Sequence, residues 1–244
     1  MYRYCQRWES EQGREIGLTL QVGDIGIVNE ARLDKATRRH AETDPAELGA
    51  VKYINGSRKP SHLTVFVRGN HDDSEFFSRL PRGGFIDPHR FLYYLSPLQV
   101  FQLSLNSKEI IIAGLGGIAP DSDDDREKTL ARQRYFDNWK CDALLSLPSE
   151  SVDILLTHDG PAVQGLRRRG SAGALEINWI IEHLKPRFAF FGHYSDPPVP
   201  FFIGKTLCVG MNSKQALKLP KRDGAMGIVD PATLQFEFVQ SWKT

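Results

Sequence analysis

Four short apolar runs, each broken off abruptly by polar residues, constrain this chain more than any other feature. LTLQV at 18–22 gives way to Gly23-Asp24, and LTVFV at 63–67 to Arg68-Gly69-Asn70-His71-Asp72. VDILL at 152–156 runs into Thr157-His158-Asp159-Gly160-Pro161, and RFAFF at 187–191 into Gly192-His193-Tyr194. Apolar runs of this length with β-branched residues and polar boundaries read as buried strands. Helical patterns lie between them. One covers 126–146 and ends before Pro148; another covers 173–186 and ends at Pro186, because proline lacks the N–H a helix needs. CQRWESEQGREI at 5–16 also reads as a helix. Strands alternating with helices predict an α/β fold with a largely parallel sheet.

Other segments add antiparallel character. LQVFQLSL and EIIIAGL flank Asn106-Ser107-Lys108 as a hairpin, and CVGM, MGIV and LQFEFV, short strands separated by turn residues, read as a second hairpin region near the C-terminus. The sheet system is therefore expected to be mixed and divided in two. Residues 34–61 are polar, with Pro45, Gly56 and Pro60, and read as an insertion or long loop carrying one helix. No repeat and no linker-like stretch divides the chain, so one domain over 1–244 is the expectation.

Charge narrows the function. Lys and Arg number 31 against 30 Asp and Glu, a formal +1 over 244 residues. So even a balance counts against binding nucleic acid by bulk electrostatics, while leaving room for a local basic patch. No apolar run approaches the roughly twenty residues of a membrane helix, and the first residues lack the apolar core of a secretory signal. A cytoplasmic protein with no membrane association is expected, and nothing in the sequence specifies a stable protein partner. Cys5, Cys141 and Cys208 form no C-x-x-C pair, so buried free thiols are expected rather than disulfides or structural zinc.

In open α/β sheets, functional groups collect beyond the carboxyl ends of the strands. The four strands named first end in Asp24, Asn70, His158 and His193: a carboxylate, an amide carbonyl and two imidazoles. Singly, each is ordinary, since Gly-Asp is a common turn and a lone histidine near an apolar run is more often a packing or surface residue. Jointly they form a nitrogen and oxygen ligand set without thiolate. Such a set suits Mn²⁺, Fe²⁺ or Zn²⁺ better than Mg²⁺ or Ca²⁺, with Mn²⁺ the first expectation.

The motifs GD, GNHD, THDGP and GHY, in this order and each after a strand, resemble the calcineurin-like metallophosphoesterase superfamily. GDIGIVNEARLD, KPSHLTVFVRGNHDD, LPRGGFIDPHRFLYYL, IIIAGLGGI and LLTHDGP are similar to the branch that contains RNA lariat debranching enzymes. The resemblance spans about residues 18–210 and implies an α/β sandwich of two mixed β-sheets flanked by helices. It also implies a phosphomonoester or phosphodiester substrate, small molecule or nucleic acid, hydrolysed by metal-activated water. Asp24 would bridge two metals, and Asn70, His158 and His193 would complete the second. His71 would act at the leaving oxygen, with Asp72 orienting its imidazole.

The departures from the family pattern concern the first metal. Its Asp-x-His strand has no counterpart before Gly23-Asp24, and Ser195 stands where the second His of G-H-x-H is expected. The reading is thus of a domain lacking the family's first strand, with one complete metal half-site and a second in doubt. Two alternatives follow. One is a degenerate member that binds one metal or a phosphorylated ligand without turnover; the other is an RNA debranching-type phosphodiesterase. Among weaker signals, Tyr194 and Ser195 are read as hydroxyls near the site or as a solvated loop. Arg167, Arg168 and Arg169 are read as a solvated basic loop before a phosphate clamp, and Asp121, Asp123, Asp124 and Asp125 as an exposed acidic loop. His40, His62, His89 and His183 are taken as surface or structural, and Trp8, Trp139, Trp179 and Trp242 as core or half-buried anchors.

Overall fold

The computed structural model describes residues 1–26, 50–105, 107–120, 134–163, 173–194, 199–212 and 224–239. Two mixed sheets face each other. Strands β1 (Thr19–Gln21), β2 (Thr64–Phe66), β3 (Gly84–Phe85) and β4 (Leu92–Tyr94) form a four-stranded sheet in the order β1-β2-β4-β3. In it β1, β2 and β4 run parallel and β3 antiparallel. A six-stranded sheet contains β5 (Phe101–Leu105), β6 (Lys108–Leu115), β7 (Ile154–Thr157), β8 (Phe188–Phe191), β9 (Phe201–Ile203) and β10 (Thr206–Gly210). Its order is β5-β6-β7-β8-β10-β9, parallel from β6 to β10, with β5 and β9 antiparallel at the edges. A separate hairpin joins β11 (Gly227–Asp230) to β12 (Gln235–Phe238).

Alternation of side chains across each strand builds the layers. Val65 and Val67 of the β2 region meet Ile112, Ile154, Leu156, Phe188, Phe190 and Val209, and this cluster is the core between the sheets. Phe236 and Phe238 of the hairpin pack against it. The opposite face of the large sheet, with Ala113, Leu115, Leu155, Ala189 and Phe191, is covered by helices α4 (Asn138–Leu145) and α5 (Leu175–Leu184). These helices contribute Cys141, Leu144, Ile177, Ile180, Ile181 and Leu184. Fully burying one such aliphatic side chain is worth roughly 1.5–3 kcal/mol. Phe66, Leu92 and Tyr94 face outward from the small sheet against Phe77 of α3 (Ser74–Ser78). Tyr2 of α1 (Tyr2–Gln12) and Tyr53 of α2 (Val51–Ile54) close that side. The α/β sandwich of two mixed sheets flanked by helices is what the chain adopts.

Three local readings need revision. The helix expected over 126–146 begins only at Asn138. Upstream of it, Ile118 donates its N–H to the Arg134 carbonyl and accepts the Phe136 N–H, so these backbone groups serve a bridge between Ile118 and Tyr135. Residues 126–133 lie outside the described ones. The helix expected over 5–16 spans Tyr2–Gln12 and stops where Gly13 turns left-handed at φ 63°, its N–H capping the Glu9 carbonyl. CVGM belongs to β10 inside the large sheet and is not part of a terminal hairpin. Cys5, Cys141 and Cys208 are free and buried, and burial pushes the Cys208 thiol up to about 11. Among the described residues no helix is long and apolar enough to cross a membrane.

Candidate metal centre

The carboxyl ends of β1, β2, β7 and β8 share one rim of the sandwich, and the four strand-end residues meet there. His158, only 1% exposed, is the hub. Its Nδ1 lies 2.7 Å from the Val22 carbonyl, just beyond β1, so this nitrogen carries the proton and donates it to that oxygen. Nε2 lies 2.8 Å from Asn70 Oδ1 and 3.5 Å from Asp24 Oδ2. His193 Nδ1 lies 3.2 Å from the same Asn70 oxygen.

The backbone at the rim is shaped for this approach. Gly23 has φ 99°, and a Cβ there would collide with the His158 imidazole. Gly69 is packed so tightly on Asp24 that any side chain would displace its carboxylate. Asp24 and His193 are themselves left-handed, at φ 54° and 63°, an uncommon state for residues with a Cβ. The His71 N–H donates to Asp24 Oδ1 at 2.9 Å, which fixes the GNHD turn relative to the Gly-Asp turn. Asp72 is 5% exposed, and its carboxylate accepts the N–H groups of Gly69 at 2.8 Å, Gly26 at 3.0 Å and Ile25 at 3.4 Å. It therefore staples the same two turns together.

Electrostatics favour the ligand forms. Burial works against charge on Asp24, but the His158, His71 and His193 rings and the His71 N–H outweigh it and hold its pKa below the ordinary carboxylate value. Burial, then His158, lower the pKa of His193 against the pull of Asp159 and Asp24, favouring the neutral imidazole that can coordinate.

Two imidazole nitrogens, an amide oxygen and a carboxylate oxygen thus converge, each a group that can ligate a metal when the imidazoles are neutral. A cation is the chemistry that unites such a set. Metal–ligand bonds of about 2.1 Å at tetrahedral or octahedral angles separate neighbouring donor atoms by about 3.0–3.4 Å. The separations of 2.8, 3.2 and 3.5 Å bracket that range, and the Val22 carbonyl supplies the outer contact that fixes a ligating imidazole. The residues fit a divalent ion. Among the described residues, no three His, Cys, Asp or Glu side chains gather into a group that could hold a metal, so Asp24, His158 and His193 do not by themselves make one.

The structure also brings in residues the sequence left aside. Asp159 is fully buried, and Tyr194 donates its hydroxyl to Asp159 Oδ1 at 2.6 Å. The Tyr194 hydroxyl proton is thus committed to Asp159, and the residue is buried rather than solvated. Arg68 is 4% exposed and donates to the Tyr135 carbonyl at 3.1 Å. Asp159 and Tyr194 directly follow His158 and His193, and that adjacency is the available signal for both. His62 is buried in a bond network at the other end of the sheets, and His183 contacts the Leu147 carbonyl at 2.8 Å. Trp8 is buried, while Trp139 and Trp179 are about half exposed. Ser195, Arg167, Arg168, Arg169, Asp121, Asp123, Asp124, Asp125, His40 and Trp242 lie outside the described residues.

Comparison with known proteins agrees with this architecture. A family model described as calcineurin-like phosphoesterase matches residues 15–196, and the chain belongs to that family. Among individual proteins it is similar to the lariat debranching enzyme of Danio rerio, 27% identical over 229 residues, covering 79% of this chain and 37% of that protein. The lariat debranching enzyme of Entamoeba histolytica is 26% identical over 219 residues, covering 79% and 59%. That of Schizosaccharomyces pombe is 32% identical over 137 residues, covering 50% and 27%. The chain therefore matches less than two thirds of the length of these relatives. In fold it is similar to the crystal structure of TT1561 of Thermus thermophilus, with TM-score 0.55 and 15% identity, over 97% of this chain and 90% of that one. A second solved structure matches with TM-score 0.61 and 13% identity, over 97% and 92%.

Proposed function

We propose that this chain is a metal-dependent phosphoesterase, with a phosphodiester as its first substrate class. The observation that carries the reading is the convergence of Asp24 Oδ2, Asn70 Oδ1, His158 Nε2 and His193 Nδ1 on one rim. Those four residues would hold a divalent ion, Mn²⁺ first and Fe²⁺ or Zn²⁺ next. Such an ion polarises phosphoryl oxygens and lowers the pKa of a bound water. The family match and the lariat debranching relatives support phosphoester chemistry, and the activity for which those relatives are named favours a diester, RNA included, over a monoester.

The chain's own groups have separate tasks. His158 is oriented by the Val22 carbonyl and keeps Nε2 aimed at the centre. Asp72 and Asp24 clamp the turn that carries His71, which places that imidazole at the rim to give a proton to the departing alcohol oxygen. The three buried free thiols suit a reducing compartment, in keeping with a cytoplasmic location.

The test is hydrolysis of bis-p-nitrophenyl phosphate by the Mn²⁺-reconstituted chain. Turnover is expected, with loss on adding EDTA and recovery on restoring Mn²⁺. His71→Ala should lower turnover by roughly 10²–10⁴ with Mn²⁺ content unchanged. A chain that is saturated with Mn²⁺ and still inert toward diesters would instead indicate a binding protein.

A further inference from the structure

His193 reaches Asn70 from a left-handed backbone, a conformation that residues with a Cβ rarely hold unless neighbours enforce it. Its N-terminal side is fixed by the Gly192 N–H, which donates to the His158 carbonyl at 3.1 Å. On its C-terminal side stands Tyr194, 8% exposed, whose phenol reaches the buried carboxylate of Asp159. At 2.6 Å this bond has the length of a charge-assisted O–H···O⁻ contact, the stronger kind.

Asp159 is itself anchored to other strand ends. Its Oδ2 accepts the Ala119 N–H at 2.9 Å beyond β6, and its Oδ1 accepts the Gly160 N–H at 2.8 Å. Thr157, the last residue of β7, donates its hydroxyl to the Asp159 carbonyl at 2.6 Å. Gly160 leaves room for the ring, since a Cβ there would come within 3.1 Å of the Tyr194 edge. The phenol is thus tied to a carboxylate that links the ends of β6 and β7, and the His193 ring packs edge-on against it with centroids 5.1 Å apart.

We propose that Tyr194 is a positioning residue for His193: its bond to Asp159 holds the left-handed turn so that Nδ1 stays on the Asn70 oxygen. The inference rests on the reading of Asp24, Asn70, His158 and His193 as a cation site. Tyr194 acts through His193.

A double-mutant cycle on Mn²⁺ affinity tests it, read by electron paramagnetic resonance of free Mn²⁺, with circular dichroism confirming that each variant is folded. Tyr194→Phe keeps the ring and removes only the hydroxyl. It should weaken Mn²⁺ binding about 10- to 100-fold, the usual cost of losing an outer-shell partner. In a His193→Ala background the same change should have no further effect, because the group it positions is gone. Tyr194→Phe binding Mn²⁺ as tightly as the parent would overturn the inference alone. An equal loss in both backgrounds would also overturn it, by showing a general structural role. A parent chain that takes up no Mn²⁺ would overturn the cation site itself, and the inference with it.

Discussion

Two buried histidines sit at opposite ends of the same sheets, and their surroundings differ in one respect. His62 precedes β2 at its amino end. Its Nδ1 meets the Ser61 hydroxyl at 2.7 Å, and its Nε2 meets Glu9 Oε1 at 3.1 Å. Glu9 also accepts the Ile16 N–H at 2.8 Å, so this cluster ties α1 and the chain after it to the start of β2. There, donors meet acceptors and the network closes on itself. At the carboxyl ends, His158 donates through Nδ1 to Val22, and its Nε2 meets the Asn70 amide oxygen and the Asp24 carboxylate. A closed network stabilises a fold, whereas a set of nitrogen and oxygen groups converging on one point is suited to holding a metal ion. Burial and a histidine are common to both places, so neither marks function; the gathering of ligand-type groups at strand ends does.

The contrast breaks first at its hub. His158→Ala should lower Mn²⁺ affinity by about 100-fold or more and abolish diester hydrolysis. In the parent, Mn²⁺ at 100 times its dissociation constant should raise the unfolding free energy by about 2.7 kcal/mol. In His158→Ala that increment should vanish, as denaturant melts with and without Mn²⁺ would show. Gly23→Ala attacks the same site through the backbone. The added Cβ meets the His158 ring at a φ that disfavours it, and a loss of about 1–3 kcal/mol in stability is expected together with weaker Mn²⁺ uptake. Loss of stability with unchanged metal affinity would show that the ring is free to re-seat.

The other end should respond in the opposite way. His62→Ala leaves Glu9 short of a partner and should cost about 1–3 kcal/mol in urea unfolding, with Mn²⁺ affinity and turnover within twofold of the parent. A collapse of turnover at matched stability would erase the distinction between the two ends. The smallest effect concerns pH. Burial raises the Glu9 pKa, but the Ile16 N–H and the His62 ring outweigh it and hold it below the ordinary glutamate value. A carboxylate depressed in the folded state stabilises above its unfolded pKa, about 4.3, and that contribution is lost as pH falls through the lower folded value. Glu9→Gln should therefore remove a shallow part of the acid-side decline in stability, and leave the profile above about pH 6 unchanged. An unaltered acid limb in the variant would mean that Glu9 keeps no such bonds in solution.

Much of this contrast is legible in the residues. Apolar runs announce β2, β7 and β8, which are buried on both faces, and the half-buried edge strand β1, and the ligand types stand where those runs stop. Local periodicity overstates the helix before Asn138 because it cannot see that Ile118 claims the backbone of Arg134 and Phe136. The Asp159–Tyr194 bond joins residues 35 apart in sequence, between two loops, and such a pair leaves no local signature. Asp72 shows the same limit, since a carboxylate that binds backbone amides on another turn looks in sequence like any charged loop residue. Ligand types follow from strand ends; what holds them in place follows only from contacts between loops.

The central claim is that the strand ends form a cation site centred on the Asn70 oxygen. Its most direct test is the Mn²⁺ dissociation constant of the parent, Asn70→Ala and His62→Ala chains, measured side by side by electron paramagnetic resonance. The account predicts saturable binding by the parent, an unchanged constant in His62→Ala, and binding weakened at least tenfold in Asn70→Ala. Equal constants in all three chains, or no binding by the parent, would contradict it.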